Sequence, residues 1–130
     1  MKLFVPGRIC LFGEHSDWAG HYRRINADVE KGYTIIAGTN QGIHAEVKPH
    51  PSKLVLWSTT DAGDRKGPLE IPMERAALLA EAEKGGFFSY AAGVAYQVLT
   101  HYHVRGLEID NCLTDLPIKK GLSSSAAICV

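Results

Sequence analysis

Tyr90, Val94, Val98 and Tyr102 recur every four residues, with Ala91, Ala95 and Leu99 beside them. At 3.6 residues per turn this spacing lines one side of a helix, and the apolar face it makes is wide enough to require a covering layer. The pattern predicts a helix over residues 88–102 whose aromatic stripe belongs to a core, with Gly106 closing the turn after it. A second helix is predicted immediately before, over residues 73–84. Pro72 suits a helix start, the segment is rich in Ala, Leu and Glu, and Gly85-Gly86 stops it.

Strand patterns flank this helical pair. Leu3-Phe4-Val5 opens a strand that Pro6-Gly7 interrupts, and Ile9-Cys10-Leu11-Phe12 is a short apolar run that Gly13 ends. Residues 14–24 are polar, aromatic and without period, which reads as a loop. Residues 33–39 are β-branched, 40–42 (Asn-Gln-Gly) read as a turn, and 43–48 alternate as a half-buried hairpin partner does. Residues 53–58 make another strand, 61–68 a loop rich in glycine and charge, and 107–113 an alternating strand. Residues 118–122 then form a loop that feeds a helix start at Ser123.

At 130 residues this is about one domain. The 45% hydrophobic and 22% charged content disfavours disorder. The 14 basic side chains balance 14 acidic ones, which argues against a protein that coats nucleic acid or a polybasic membrane-surface protein. No stretch reaches the ~18 apolar residues of a membrane span, and Pro6-Gly7 comes too soon for a signal-peptide core. Cys10, Cys112 and Cys129 lack CxxC spacing and lie in apolar stretches, so they read as buried, reduced thiols of a cytoplasmic protein. His101 and His103, two apart, do not share a helix face and make no metal pair. Trp57 reads as core or edge packing in preference to an adenine pocket.

The chemistry concentrates after residue 117. A strand feeds a glycine-bearing loop, and the loop feeds a helix whose first turn is small and hydroxylated: Gly121-Leu122-Ser123-Ser124-Ser125-Ala126-Ala127. The unpaired N–H groups and positive dipole end of a helix start attract anions, and small side chains let a phosphate reach the backbone. Lys119 and Lys120 add positive charge, and a serine hydroxyl can take a Mg²⁺ position. The plainer reading is that serine is a good N-cap. No Walker A sequence, GxxxxGK followed by Ser or Thr, occurs, and no GxGxxG.

Pro117-Ile118-Lys119-Lys120-Gly121-Leu122-Ser123-Ser124-Ser125-Ala126-Ala127 resembles the PxxxGLxSSAA phosphate loop of the GHMP kinases. The resemblance implies that residues 121–125 (Gly121, Leu122, Ser123, Ser124, Ser125) hold the ATP phosphates and that Ser125 approaches Mg²⁺. Many members of that family carry glycine where this chain has Ser123. A second segment, Pro6-Gly7-Arg8-Ile9-Cys10-Leu11-Phe12-Gly13-Glu14-His15-Ser16-Asp17-Trp18-Ala19-Gly20, is similar to the PGRxxLxGEHxDxxxG signature of galactokinases. By that likeness Glu14, His15 and Asp17 bind a sugar through its hydroxyls, and Arg8 lies catalytically near the hydroxyl that attacks the γ-phosphate. Mevalonate kinases carry PGKxxLxGEHAVVxG instead, so Arg8 and Ser16-Asp17-Trp18 depart from their pattern. Residues 26–114 match in element order only.

The resemblance implies a mixed α/β (α+β) fold of the ribosomal S5 domain 2 type. Residues 1–130 would be the N-terminal ATP-binding domain of a GHMP-type kinase. The activity implied is ATP- and Mg²⁺-dependent phosphorylation of a sugar hydroxyl, with no nucleic acid or membrane partner. The alternatives are a mevalonate-type kinase and a non-catalytic sugar or nucleotide sensor. The family's base, an aspartate, follows the phosphate loop, so Asp61, Asp110 and Asp115 are not assigned that role; Asp115 reads as a turn or cap residue. The last helix makes at most about two turns before Val130, marginal for an isolated helix. The chain is therefore expected to be part of a longer kinase, to pair with its C-terminal half, and to be inactive alone.

Overall fold

The structure is a computed structural model that describes residues 1–14, 19–117 and 121–130. Its elements are β1 (Lys2–Phe12), α1 (Ala19–Tyr22), β2 (Ile35–Pro49), β3 (Lys53–Thr59), β4 (Arg65–Pro72), α2 (Arg75–Glu83), α3 (Ser89–His101), β5 (Leu107–Thr114) and α4 (Ser124–Cys129). The strands form one sheet in the order β1-β2-β5-β3-β4. Pairing is antiparallel except between β3 and β5, which run parallel. A parallel pair cannot be closed by a tight turn. The connection from β3 to β5 accordingly carries β4 and both helices, which accounts for two helices standing back to back in the sequence.

Two apolar clusters share one face of the sheet. Leu54 and Leu56 of β3 and Ile71 of β4 pack against Leu78 of α2 and Ala92 and Ala95 of α3. Nearer the β1 edge, Ile43 of β2, Leu116 and Ala127 of α4 form the second cluster, with Val5 and Leu122 against it. Between them lies an apolar cavity of about 180 Å³, bounded by Val5, Ile43 and Ile109 from the sheet and by Ala91, Val94 and Ile128 from the helices. Other sheet side chains are joined by ion pairs, Lys2–Glu46 at 3.6 Å, Lys48–Glu108 at 3.9 Å and Lys53–Glu70 at 2.8 Å. Arg65 reaches from β4 across β3 to grip Asp110 of β5 with both terminal nitrogens, at 3.0 and 2.9 Å. Its guanidinium lies 4.8 Å from the Trp57 ring centre, and the bond to Asp110 raises its pKa further above the ordinary arginine value. Trp57 is half-buried beneath this arginine and also lines the apolar cavity.

Several expectations give way to tertiary pairing. Residues 40–42 do not reverse the chain. β2 runs through them, and Gly7 alone of β1 faces residues 39–41, since Pro6 pairs with Gly42 and Arg8 with Gly38. Residues 39–41 (Thr-Asn-Gln) are a bulge, a use of turn-type residues that leaves the strand intact while bending it, and Gly42 resumes the pairing. The interruption at Pro6-Gly7 is likewise only a shift in register. Of the predicted loop 61–68, residues 65–68 belong to β4, and the loop 14–24 contains the short α1.

The apolar face expected on α3 is met in part: Ala95 is buried and Ala91 and Leu99 pack against the core, but the tyrosines at its ends stay outside. Ala92 and Ala95 face the core at 0% and 8% exposure, whereas Tyr90 and Tyr102 are 58% and 68% exposed. Alanine allows α3 to approach α2 and the sheet closely, and the tyrosine rings are left at the rim. The cysteines are free thiols, but Cys112 is exposed and Cys10 and Cys129 are only half-buried.

Candidate functional site

The two segments singled out at the sequence level meet in the fold. The N–H of Arg8 donates to the carbonyl of Leu122 at 3.1 Å. This contact depends on Gly7, which is buried. A Cβ there would collide with the Leu116 side chain and come within 2.8 Å of the Thr39 hydroxyl and 3.2 Å of the Leu122 carbonyl. Absence of a side chain at position 7 is what lets the segment after β5 lie against β1. Leu116 is fully buried there and fixes the loop's entrance.

The loop enters α4 through two left-handed residues, Gly121 at φ 79° and Ser123 at φ 59°, ψ 40°. Ser123 occupies the N-cap position, yet its hydroxyl makes no capping bond; the N-cap reading of this serine fails because the left-handed backbone aims the side chain elsewhere. The first intrahelical bond is from Ala127 N–H to the Ser123 carbonyl at 3.0 Å. Helix geometry therefore gives Ser124, Ser125 and Ala126 N–H no partner within the helix. Ser124 is half-buried and Ser125 exposed, so the Ser125 hydroxyl stands open to a ligand.

Arg8 carries an exposed side chain beside this loop. Glu14 lies beyond the other end of β1, exposed, in a turn that starts at Gly13. Gly13 has φ 80°, and its carbonyl accepts a hydrogen bond from the Thr34 hydroxyl at 3.0 Å. This bond ties both ends of the connection from β1 to β2 together. His15 and Asp17 lie outside the described residues, as do Lys119 and Lys120. Asp110 is engaged by Arg65, and Asp61 lies in the turn between β3 and β4.

Sequence reasoning missed one polar contact at the loop. The Asp115 carboxylate accepts the Gly42 N–H at 2.6 Å, and the Asp115 N–H donates to the Gly42 carbonyl at 3.2 Å. Two glycines close together in a strand, Gly38 and Gly42, were the available signal, since glycine within a strand marks a bulge or a close approach. Among the described residues, no three or more His, Cys, Asp or Glu side chains gather as metal ligands. None of Arg8, Glu14 or the serines at 123–125 lines the apolar cavity.

The fold as a whole recurs in known structures. Over 99% of its length the chain superposes on the mevalonate kinase of Methanococcus jannaschii with a TM-score of 0.68 and 22% identity. A second mevalonate kinase structure matches over 99% of the chain with a TM-score of 0.67 and 21% identity. The fold is shared with mevalonate kinase. It is the mixed α/β class expected from the sequence. The chain spans 37% of the length of each of these two structures. No family model and no curated protein matches the sequence. No helix among the described residues is long and apolar enough to cross a membrane.

Proposed function

We propose that residues 1–130 form the ATP-binding part of a GHMP-type small-molecule kinase, which transfers the γ-phosphoryl group of ATP to a sugar hydroxyl. The observation that carries this reading is the bond from Arg8 N–H to the Leu122 carbonyl. It joins the two segments that resemble kinase signatures, although most of the chain separates them. The mevalonate kinase fold supports the reading independently.

On this reading the N–H groups at the start of α4 and the serine hydroxyls of 123–125 hold the phosphates, as an oriented cluster of donors does. Mg²⁺ binds through phosphate oxygens and few protein ligands, so the single exposed hydroxyl of Ser125 fits it as a ligand. When bound, the ion neutralises charge on the phosphates. Arg8 supplies a fixed positive charge beside the loop, suited to stabilising negative charge in a loose phosphoryl-transfer transition state. Glu14 and Asp17 accept hydrogen bonds from the hydroxyls of the acceptor, and His15 either accepts or donates. A mevalonate-type acceptor is the second reading, favoured by the identity of both structural neighbours; Arg8 and Asp17 favour the sugar. No base is assigned within the chain, so the chain by itself is expected to bind nucleotide and not to turn over. A cytoplasmic location belongs to the same proposal.

The test is titration calorimetry of MgATP into the chain and its Ser125→Ala variant, followed by galactose-type sugars and mevalonate. Mg²⁺-dependent nucleotide binding that weakens on Ser125→Ala supports the reading. Absence of nucleotide binding at millimolar ATP refutes it, and binding of mevalonate but of no sugar moves the acceptor to the second reading.

A further inference from the structure

We infer that Asp115 is a positioning residue for the glycine–serine loop, an assignment that rests on the phosphate-binding reading above. The loop is held to the β1–β2 edge at two places. On its C-terminal side, the Leu122 carbonyl takes the Arg8 N–H at 3.1 Å. Before its entrance, Asp115 exchanges two hydrogen bonds with Gly42, one through its carboxylate at 2.6 Å and one through its own N–H at 3.2 Å. Leu116, fully buried beside Gly7, follows directly.

Gly42 is where β2 leaves its bulge, opposite Pro6. β5 pairs with β2 as far as Thr114 opposite Ile43, and Asp115 lies one residue past that last rung. The backbone bond from Asp115 N–H to the Gly42 carbonyl carries the attachment one residue past this rung. The short charge-assisted bond from Gly42 N–H to the carboxylate reinforces this attachment, and bonds to an ionised acceptor are about twice as strong as neutral ones. It sets where the chain departs from the sheet, and with Leu122 it fixes the distance between Arg8 and the N–H groups of α4. Placement errors of about 1 Å at such a cradle are costly in phosphoryl chemistry.

Removal of the carboxylate orphans a part-buried N–H and frees the entrance of the loop while leaving β3 and β4 untouched. Asparagine keeps an acceptor oxygen at the same place. The experiment measures amide hydrogen exchange and MgATP affinity on the 130-residue chain. Asp115→Ala is expected to raise exchange at residues 121–126 and to weaken MgATP by about tenfold, with β3 and β4 amides as in the parent. Asp115→Asn is expected to restore most of both. Unchanged exchange at 121–126 in Asp115→Ala overturns the assignment. So does a rise spread equally over β3 and β4, which is general destabilisation. If Asp115→Ala does not fold, Asp115→Glu, with its carboxylate displaced by one methylene, must still raise loop exchange, and parental exchange in that variant overturns the inference. A parent chain that binds no MgATP refutes the phosphate reading, whereas the exchange data still decide the role of Asp115.

Discussion

Leu116 fills the space that a side chain on Gly7 would need. The two residues lie far apart in sequence, and their fit brings the segment after β5 against β1. Gly7→Ala is expected to destabilise the chain by about 1–3 kcal/mol through overpacking, and Leu116→Ala by about 2–5 kcal/mol through the cavity it leaves. Urea unfolding of each variant measures this. A Gly7→Ala variant as stable as the parent would mean that the contact relaxes freely.

Ser123 sits in the left-handed region and caps nothing with its hydroxyl. A non-glycine residue there costs about 1–2 kcal/mol. Ser123→Gly is therefore expected to raise stability by up to about 1 kcal/mol, offset in part by glycine's greater freedom in the unfolded chain. Ser123→Ala, which removes no cap, should stay within about 0.5 kcal/mol. Thermal unfolding distinguishes these outcomes, and a large loss in Ser123→Ala would show that the hydroxyl has a partner.

On the proposed reading, Glu14→Ala and Asp17→Ala each weaken sugar binding by about 1–3 kcal/mol, since a hydroxyl loses a charged partner. MgATP affinity measured alone changes little. Loss of nucleotide affinity with sugar affinity intact would exchange the roles of the two signature segments.

The hydrogen bond from Lys53 holds the Glu70 carboxyl below its ordinary pKa. Because the folded value is the lower one, the pair stabilises the chain above the unfolded carboxylate pKa. That contribution fades as pH falls through the folded value. Both groups are exposed, so the effect is small and salt-sensitive. Melting temperatures of the parent and Lys53→Met should differ by a constant amount above about pH 5 and converge on further acidification. A gap that widens in acid contradicts the assignment.

The sequence by itself determined the local elements and the two chemical segments. Alternation marked the second half of β2 and β5, glycines bounded α2 and α3, and the small hydroxylated stretch at 121–127 announced a loop entering a helix, because these signals act over a few neighbouring residues. It placed Ala91, Ala95 and Leu99 on the core side of α3, where they lie, but could not show that the tyrosines of the same face stay outside. Tyrosines at 90 and 102 and alanine at 92 are all apolar enough, and only the close approach of α2 and the sheet selects the alanine. Nor could it show that residues 40–42 continue a strand, since bulge and turn draw on the same residues and the difference lies in pairing with β1. The juxtapositions of Arg8 with Leu122, Gly7 with Leu116 and Asp115 with Gly42 belong to the tertiary structure alone. Each joins residues distant along the chain, and no local propensity records such a contact; it exists because the sheet order sets β2 between β1 and β5.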